Sequence, residues 1–118
     1  MDFIQSRQNA LIKHVRALDN KKYRDTKGQF FIEGIKMVEE AIDEDVDIDR
    51  ILVSEVFDWN GFKENRHIDE EKYDVVFLEE SLFEYIAKTK TPQGIAAVID
   101  KRSQTLESIF SDDKYFVA

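Results

Sequence analysis

Apolar residues in the first third of the chain recur first at helical and then at strand spacing. Asn9, a residue type that often caps helices, precedes apolar positions 11, 12, 15 and 18, which share one helix face. A polar and basic stretch follows that can hold another helical turn before Gly28 ends it. Residues 29–33 have the composition of a strand. The pattern therefore predicts a helix, a short helical turn and a strand, in this order.

The rest of the chain continues this alternation of helices and strands. Asn60-Gly61 predicts a turn in a stretch that is otherwise dominated by charge. Ser81 and Glu84 match the capping box, in which the serine hydroxyl accepts from the backbone N–H three residues on and the glutamate accepts from the backbone N–H of the serine. A helix is therefore expected to start at Leu82. The elements predicted after Gly34 are a helix over 35–42, a strand over 51–53, a short helix from Phe62, a strand over 75–78, a helix over 82–89 and a strand over 95–99.

Near-continuous apolar strands that alternate with helices are typical of a sheet with helices on both faces, because crossover connections place helices there. We therefore predict an α/β fold, a three-layer α/β/α sandwich with a mostly parallel sheet. After Asp100 the pattern weakens, with a further helix predicted around 106–110, and the chain finishes on the apolar Tyr115-Phe116-Val117-Ala118. The expected organisation is one domain over residues 1–100, followed over 101–118 by a linker and the start of an absent second domain.

The residue types exclude several classes of chemistry. The chain has no cysteine, so it has no disulfide, no thiol nucleophile and no cysteine ligand for zinc, and a reducing compartment is permitted. Its two histidines, His14 and His67, leave little for a metal site, and no phosphate loop or dinucleotide fingerprint occurs. The amino terminus has no apolar signal segment, and no apolar run approaches the roughly 20 residues of a membrane span. We therefore expect a soluble cytoplasmic protein without a metal or cofactor of its own.

Charge is distributed unevenly along the chain. Residues 1–28 contain seven basic and three acidic residues, a net charge of +4, whereas residues 29–118 contain ten basic and 22 acidic residues, a net charge of −12. An acidic surface repels nucleic acid, so the overall charge of −8 alone disfavours RNA or DNA as a partner. The split instead predicts one basic face on an acidic body. The alternative is that these cations are only the solvated side of a helix.

The basic segment supplies the side chains that RNA binding requires. Cations bind phosphates, arginine can do so through two parallel hydrogen bonds, and an aromatic ring can stack on a base. The candidate RNA-binding residues are Arg7, Asn9, Lys13, Lys21, Lys22, Tyr23, Arg24, Lys27 and Gln93. Some have a second interpretation: Asn9 caps a helix, and the turn that contains Gln93 only positions the last strand.

Three other side chains have predictable surroundings. Glu33 ends a strand and is expected to pair with a nearby cation, for which Arg24 is the candidate. His14 is expected on the exposed side of the first helix, either as a plain surface residue or as an RNA contact. Trp59 is expected to be a partly buried loop anchor, with base stacking as the alternative. No acid, base and nucleophile combination indicates catalysis, so none of these residues is assigned a catalytic role.

Three short segments stand out by their order and separation. They are Ser6-Arg7-Gln8-Asn9-Ala10-Leu11-Ile12-Lys13, then Lys22-Tyr23-Arg24 leading through Gly28 to Phe30-Phe31-Ile32-Glu33-Gly34, and Thr91-Pro92-Gln93-Gly94-Ile95. Together they resemble the amino-terminal substrate-binding domain of SpoU/TrmH-type RNA 2′-O-ribose methyltransferases. One departure is Ala10, where family members often carry proline. Because alanine is a good helix former, the helix start should be unaffected.

The resemblance implies both a fold and a partner. The fold would be similar to that of the ribosomal proteins that bind kink-turn RNA, and the partner would be structured ribosomal or transfer RNA. A knotted catalytic domain that binds S-adenosylmethionine would follow, with 115–118 as its first strand, and the full-length protein would dimerise through it. The chain itself would then recruit RNA and have no enzymatic activity of its own. Two alternatives stay open: a protein-interaction or dimerisation module that uses the acidic body, and a stand-alone binder of structured RNA.

Overall fold

A computed structural model describes residues 2–101, in which a five-stranded sheet has helices on both faces. The strands are β1 (Asp2–Ile4), β2 (Gln29–Glu33), β3 (Ile48–Ser54), β4 (Val75–Leu78) and β5 (Ile95–Asp100). The helices are α1 (Ala10–Ala17), α2 (Lys21–Lys27), α3 (Ile35–Asp43), α4 (Trp59–Asn65) and α5 (Glu80–Ile86), with a 3₁₀ turn at Glu70–Lys72. None of these helices has the length and hydropathy of a membrane span. The predicted α/β class is confirmed.

The sheet is mixed, whereas the sequence predicted a mostly parallel one. The strand order is β1-β4-β3-β5-β2. β4 pairs in parallel with β1 and β3, but β5 pairs antiparallel with both β3 and β2. Four strands therefore share one direction, and β5 alone runs the opposite way between two of them. A continuous apolar run indicates that a strand is buried on both faces of the sheet, but it does not indicate the direction of the strand. The run at 95–99 therefore could not predict that β5 is antiparallel to its neighbours.

Each face of the sheet has its own apolar core. Successive residues of a strand point to opposite faces, so Ile51 and Val53 of β3 belong to one core and Leu52 to the other. The first core is closed by α3 and α4, which contribute Val38, Ala41, Trp59 and Phe62. The second is closed by α1 and α5, which contribute Ile12, Val15, Leu82, Phe83 and Ile86. The predicted three-layer arrangement is confirmed.

The beginning of the chain folds as its pattern predicts. Asn9 caps α1 because its Oδ1 accepts a hydrogen bond from the Leu11 backbone N at 2.8 Å. The predicted helix face is buried at Ile12, Val15 and Leu18. Gly28 ends α2 at φ 65°, in the left-handed conformation that glycine adopts without strain, and β2 starts at the next residue.

Helix α4 begins earlier than predicted. The Asp58 side chain caps it by accepting from the Gly61 backbone N at 3.0 Å, so Asn60-Gly61 lies in the first helical turn and does not form the predicted turn. Trp59 was predicted to be a partly buried loop anchor, but it is buried and is the first residue of α4, and its indole Nε1 donates to Glu70 Oε2 at 2.7 Å. The cap and the buried indole together outweigh the turn preference of the Asn-Gly pair.

Helix α5 also differs from its prediction. It begins at Glu80 instead of Leu82, ends at Ile86 instead of Thr89, and does not form a capping box. The Ser81 hydroxyl donates to Glu79, while the Glu80 backbone N donates to Glu55 Oε2 at 2.9 Å. A carboxylate from the segment after β3 thus acts at this helix start. Residue spacing within 81–84 contains no information about such a long-range contact.

The remaining sequence predictions concern the two ends of the chain. β1 was not predicted, since three residues are too few for a periodic pattern. It forms because Asp2–Ile4 pairs in parallel with β4, and Phe3 on this edge strand stays 49% exposed. The predicted linker beyond Lys101, the helix around 106–110 and the strand at 115–118 lie outside the described residues.

Candidate nucleic-acid interface

The cations of residues 1–28 lie on one side of the sheet. They belong to the loop before α1, to α1 and to α2. α1 packs with α5 over the second core, and Tyr23 of α2 packs against the same core. We call this side, formed by α1, α2, α5 and their loops, the basic layer. The sequence predicted that these cations share one face. They lie in the same helical layer, which agrees with that prediction.

The lysines of the basic layer are mostly without carboxylate partners. Among the lysines of residues 1–28, Lys21 is the exception, because its Nζ lies 2.7 Å from Asp25 Oδ2 in the same helix. Lys101 also contacts this carboxylate, at 3.3 Å, and both lysines hold the pKa of Asp25 below its ordinary value. Lys13 and Lys22 are exposed and have no side-chain hydrogen bond or ion pair within the described residues.

Arg24 has a structural contact that the sequence did not predict. Its Nη1 donates to the backbone oxygens of Leu18, the C-cap of α1, at 3.2 Å and of the next residue, Asp19, at 3.4 Å. The predicted pairing of Arg24 with Glu33 is wrong. Glu33 instead accepts from the Lys88 backbone N at 2.7 Å and the Thr89 hydroxyl at 2.8 Å, so it holds the loop after α5.

Tyr23 is held by a side-chain hydrogen bond, so its ring is less free to stack on a base than the sequence suggested. Its hydroxyl lies 2.8 Å from His14 Nδ1, and His14 Nε2 lies 2.7 Å from Gln29 Oε1. Gln29 in turn donates to Asp100 at 2.9 Å. Lys27 Nζ lies 5.6 Å from the centroid of the Tyr23 ring. His14 is therefore half-buried in a hydrogen-bonded chain that connects α1, α2 and the sheet, and the predicted exposed position of His14 is wrong.

Two arginines meet on one ring at the other end of the basic layer. The Cζ of Arg7 is 4.1 Å and the Cζ of Arg16 is 4.3 Å from the centroid of Tyr85 in α5. Arg16 Nη1 also donates to the Tyr85 backbone oxygen at 3.0 Å. The sequence singled out Arg7 but neither Arg16 nor Tyr85 as a candidate. The positive charge of Arg16 in the basic segment was a signal that could have identified it. No local signal pointed to Tyr85, because it is distant in sequence from both arginines.

Asp19 is an acidic residue that lies near several cations of the basic layer. Its Oδ1 lies 2.5 Å from Lys88 Nζ. That hydrogen bond, together with the charges of Lys88, Arg24 and Arg16, holds the pKa of Asp19 below its ordinary value. Lys88 is a cation of the basic layer that comes from the acidic part of the sequence. It was not predicted as a site residue.

Gln93 occupies a different place from the other candidates. It is exposed in the turn before β5, and its Oε1 accepts from the Ile35 backbone N at 2.7 Å, which connects this turn to the start of α3. A cavity of about 90 Å³ beside it is lined in part by Ser54, Phe57 and Gly94. Within the described residues no contact joins Gln93 to the cations of the basic layer, and no group of three His, Cys, Asp or Glu side chains could hold a metal ion.

Comparison with known proteins begins with a family model. Residues 9–97 match the model of the MRM3-like substrate binding domain. The matched range runs from the cap of α1 into β5, so it includes α1, α2 and α5 of the basic layer. No curated protein sequence matches the chain.

Solved structures share the fold. An rRNA methyltransferase from Sinorhizobium meliloti matches with a TM-score of 0.71 and 24% identity over 87% of this chain and 38% of that one. The AdoMet-bound form of an rRNA methyltransferase from the same organism gives 0.70 and 24%, covering 94% and 41%. A putative RNA methyltransferase of the TrmH family from Porphyromonas gingivalis gives 0.61 and 27%, covering 83% and 37%. The chain therefore spans about two-fifths of the length of these solved proteins.

Proposed function

Because the chain belongs to the MRM3-like substrate-binding domain family, we propose that it holds RNA for a SpoU/TrmH-type 2′-O-ribose methyltransferase. Ribosomal or transfer RNA is the proposed substrate class. Holding the RNA raises the effective concentration of the target ribose at the catalytic site, so a domain without reacting groups still contributes to the rate. The solved proteins with this fold include rRNA methyltransferases, which favours ribosomal RNA.

The observation that carries this proposal is the pairing of charges in the basic layer. Of the seven cations in residues 1–28, only Lys21 forms an ion pair within the described residues. RNA phosphates bind where cations are concentrated and not already neutralised, because the affinity comes from releasing condensed counterions from the RNA. The basic layer meets this condition even though the chain as a whole carries a charge of −8.

Methyl transfer itself is proposed to occur in another domain. Ligands of α/β folds commonly bind at the carboxyl edge of the strands, and the cavity there has only about 90 Å³. Typical small-molecule pockets start at roughly 300 Å³, so this cavity is too small for S-adenosylmethionine. We propose that a catalytic domain binds the cofactor, that the full-length protein dimerises through that domain, and that it acts in the cytoplasm. The residues of this chain would bind and orient the RNA.

Salt-dependent RNA binding tests the proposal. The 118-residue chain is titrated with ribosomal RNA fragments at several salt concentrations, beside the triple variant Lys21→Ala/Lys22→Ala/Arg24→Ala. We expect the slope of log affinity against log salt to become shallower by about 0.7–0.9 for each phosphate contact removed. The matched control is Lys36→Ala/Lys63→Ala/Arg66→Ala, which removes the same types of charge from the α3–α4 side. Equal binding by both triple variants and the parent would contradict the proposal.

A second candidate function is a protein-interaction module, and one observation favours it. Phe3 is 49% exposed on β1, whose outer side pairs with no strand of the described residues and can accept a partner strand. Light scattering of the chain in the absence of nucleic acid tests this candidate. A dimer that becomes monomeric in Phe3→Ser would support it, and a monomeric parent chain would remove its support.

A further inference from the structure

The ring of Tyr85 brings together two guanidinium groups from separate segments. Arg7 comes from the loop before α1, Arg16 from the last turn of α1, and Tyr85 from α5. Their Cζ atoms lie 4.1 and 4.3 Å from the same centroid, so the two guanidiniums cannot be farther apart than the sum of these distances. Two like charges at this range repel each other unless solvent or an anion compensates them.

Neither arginine forms an ion pair with a carboxylate among the described side chains of residues 3–101. Arg16 is held by its hydrogen bond to the Tyr85 backbone oxygen at 3.0 Å, one of the last carbonyls of α5. Arg7 is exposed and, within the same residues, contacts the ring without a hydrogen bond or an ion pair. The five N–H donors of the Arg7 guanidinium therefore remain available to a ligand.

The neighbouring charges keep this place positive. Asp19 is close enough to Arg16 and Arg24 for both to lower its pKa, but its carboxylate is hydrogen-bonded to Lys88. Asp19 thus faces three cations, and Arg7 adds a fourth to the same layer, in which α5 contributes the exposed acidic residues Glu80 and Glu84. An anion that reaches Tyr85 therefore meets a local excess of positive charge.

We propose that Arg7 and Arg16, both in contact with the ring of Tyr85, bind one phosphodiester group of the RNA. Guanidinium groups match phosphate oxygens through parallel N–H···O bonds, and stacking on a ring fixes their planes before the ligand arrives. Such preorganisation lowers the entropic cost of binding. This inference rests on the proposed function and extends the RNA interface from α1 and α2 to α5.

The alternative is a structural role for Arg7, in which its contact with Tyr85 only holds residues 5–9 against α5. The two roles differ in what the variants do. Arg7→Ala removes both the charge and the stacking, whereas Arg7→Lys keeps the charge and removes the planar fork. Tyr85→Leu keeps both arginines but removes the ring that aligns them. Lys36→Ala is the control, because it removes one exposed cation from α3 on the opposite face.

A pool of RNA stem–loops with randomised loop sequences is the probe, since phosphate contacts do not depend on sequence. Fluorescence anisotropy with the 118-residue chain gives affinity and salt slope, and thermal unfolding shows whether each variant is folded. We expect Arg7→Ala to bind about tenfold more weakly, the effect of losing one charge-assisted contact. Its salt slope should be shallower by about 0.7–0.9. Arg7→Lys and Tyr85→Leu should be intermediate, and Lys36→Ala should bind as the parent chain does.

Three results would overturn the inference. If Arg7→Ala binds like the parent while Lys21→Ala/Lys22→Ala/Arg24→Ala loses affinity, the proposed function stands and this phosphate site does not. If Arg7→Ala lowers the unfolding temperature and regains full affinity at a temperature where it is folded, the role of Arg7 is structural. If the parent chain binds no RNA of the pool at low salt, the proposed function fails together with the inference.

Discussion

The helical layers on the two faces of the sheet differ in how their cations are paired. On and around the α3–α4 layer, Lys63, Arg66 and Lys72 each contact a carboxylate, at 3.5, 2.5 and 3.1 Å. In the basic layer, Lys21 is the only cation of residues 1–28 with such a partner within the described part of the chain. The first layer uses its cations to balance a surplus of acid. The second pairs Lys21 with Asp25 and Lys88 with Asp19, but it leaves the other cations of residues 1–28 without a carboxylate partner among the described side chains, as a surface that binds a polyanion requires.

The largest expected effect tests whether the two layers are one folding unit. Phe83→Ala removes a 1% exposed ring from the core under α1 and α5, and we expect a loss of about 3–5 kcal/mol in the free energy of unfolding. Phe62→Ala, on the α4 side, is the matched variant. Urea unfolding followed by circular dichroism and by Trp59 fluorescence checks both. Because both cores share β3, β4 and β5, each variant should unfold in one transition, and separate transitions would mean that the layers fold independently.

The next effect concerns the unpaired lysines. Lys13→Glu/Lys22→Glu reverses two exposed charges of the basic layer, and we expect RNA affinity to fall about a hundredfold because attraction at two positions becomes repulsion. The corresponding variant on the α3–α4 layer is Lys36→Glu/Lys63→Glu, for which we expect little change. Anisotropy titrations at one fixed salt concentration provide the measurement. Similar losses in both variants would mean that overall charge, and not the basic layer, governs binding.

A smaller effect is expected at the junction of the basic layer with the sheet. Gly28→Ala forces a side chain into a φ of 65°, while no atom within 4 Å of the new Cβ would clash. The cost is therefore conformational only, about 1 kcal/mol. Gly28→Asn should cost less, since asparagine tolerates the left-handed region. Chemical denaturation of the two variants checks this order, and the reverse order would contradict it.

The smallest effect is a pH dependence on the α3–α4 side. The hydrogen bond from Trp59 and the nearby Lys63 hold the pKa of Glu70 below 4.5 in the folded chain. A lowered pKa stabilises the fold above pH 4.5, and this stability is lost as the pH falls from there through the folded-state value. Glu70→Gln keeps an acceptor oxygen for Trp59 but removes the charge. Urea unfolding at pH 7 and at pH 3 should show a smaller loss in the free energy of unfolding for this variant, by less than about 1 kcal/mol.

The sequence predictions were accurate for features that depend on neighbouring residues and inaccurate for features that depend on distant ones. Helix α1 with its Asn9 cap and the strand at residues 29–33 agreed with their predictions, because spacing and residue type within a few positions decide them. The family resemblance is confirmed over residues 9–97. The start of α5 was wrong, since Glu55 acts there from a different part of the chain. The predicted RNA-contact residues remain predictions that the titrations above test.

The sequence by itself determined the alternation of helices and strands, the apolar faces that pack on a sheet, and the concentration of cations in residues 1–28. These are properties of neighbouring positions, and periodicity and charge express them directly. Only the tertiary structure decided that β5 runs against both of its neighbours, that Arg24 binds carbonyls instead of Glu33, and that Arg7 and Arg16 meet on Tyr85. Each depends on which distant segments become adjacent when the two cores close, because a hydrogen bond or a ring contact requires its partners within a few ångströms.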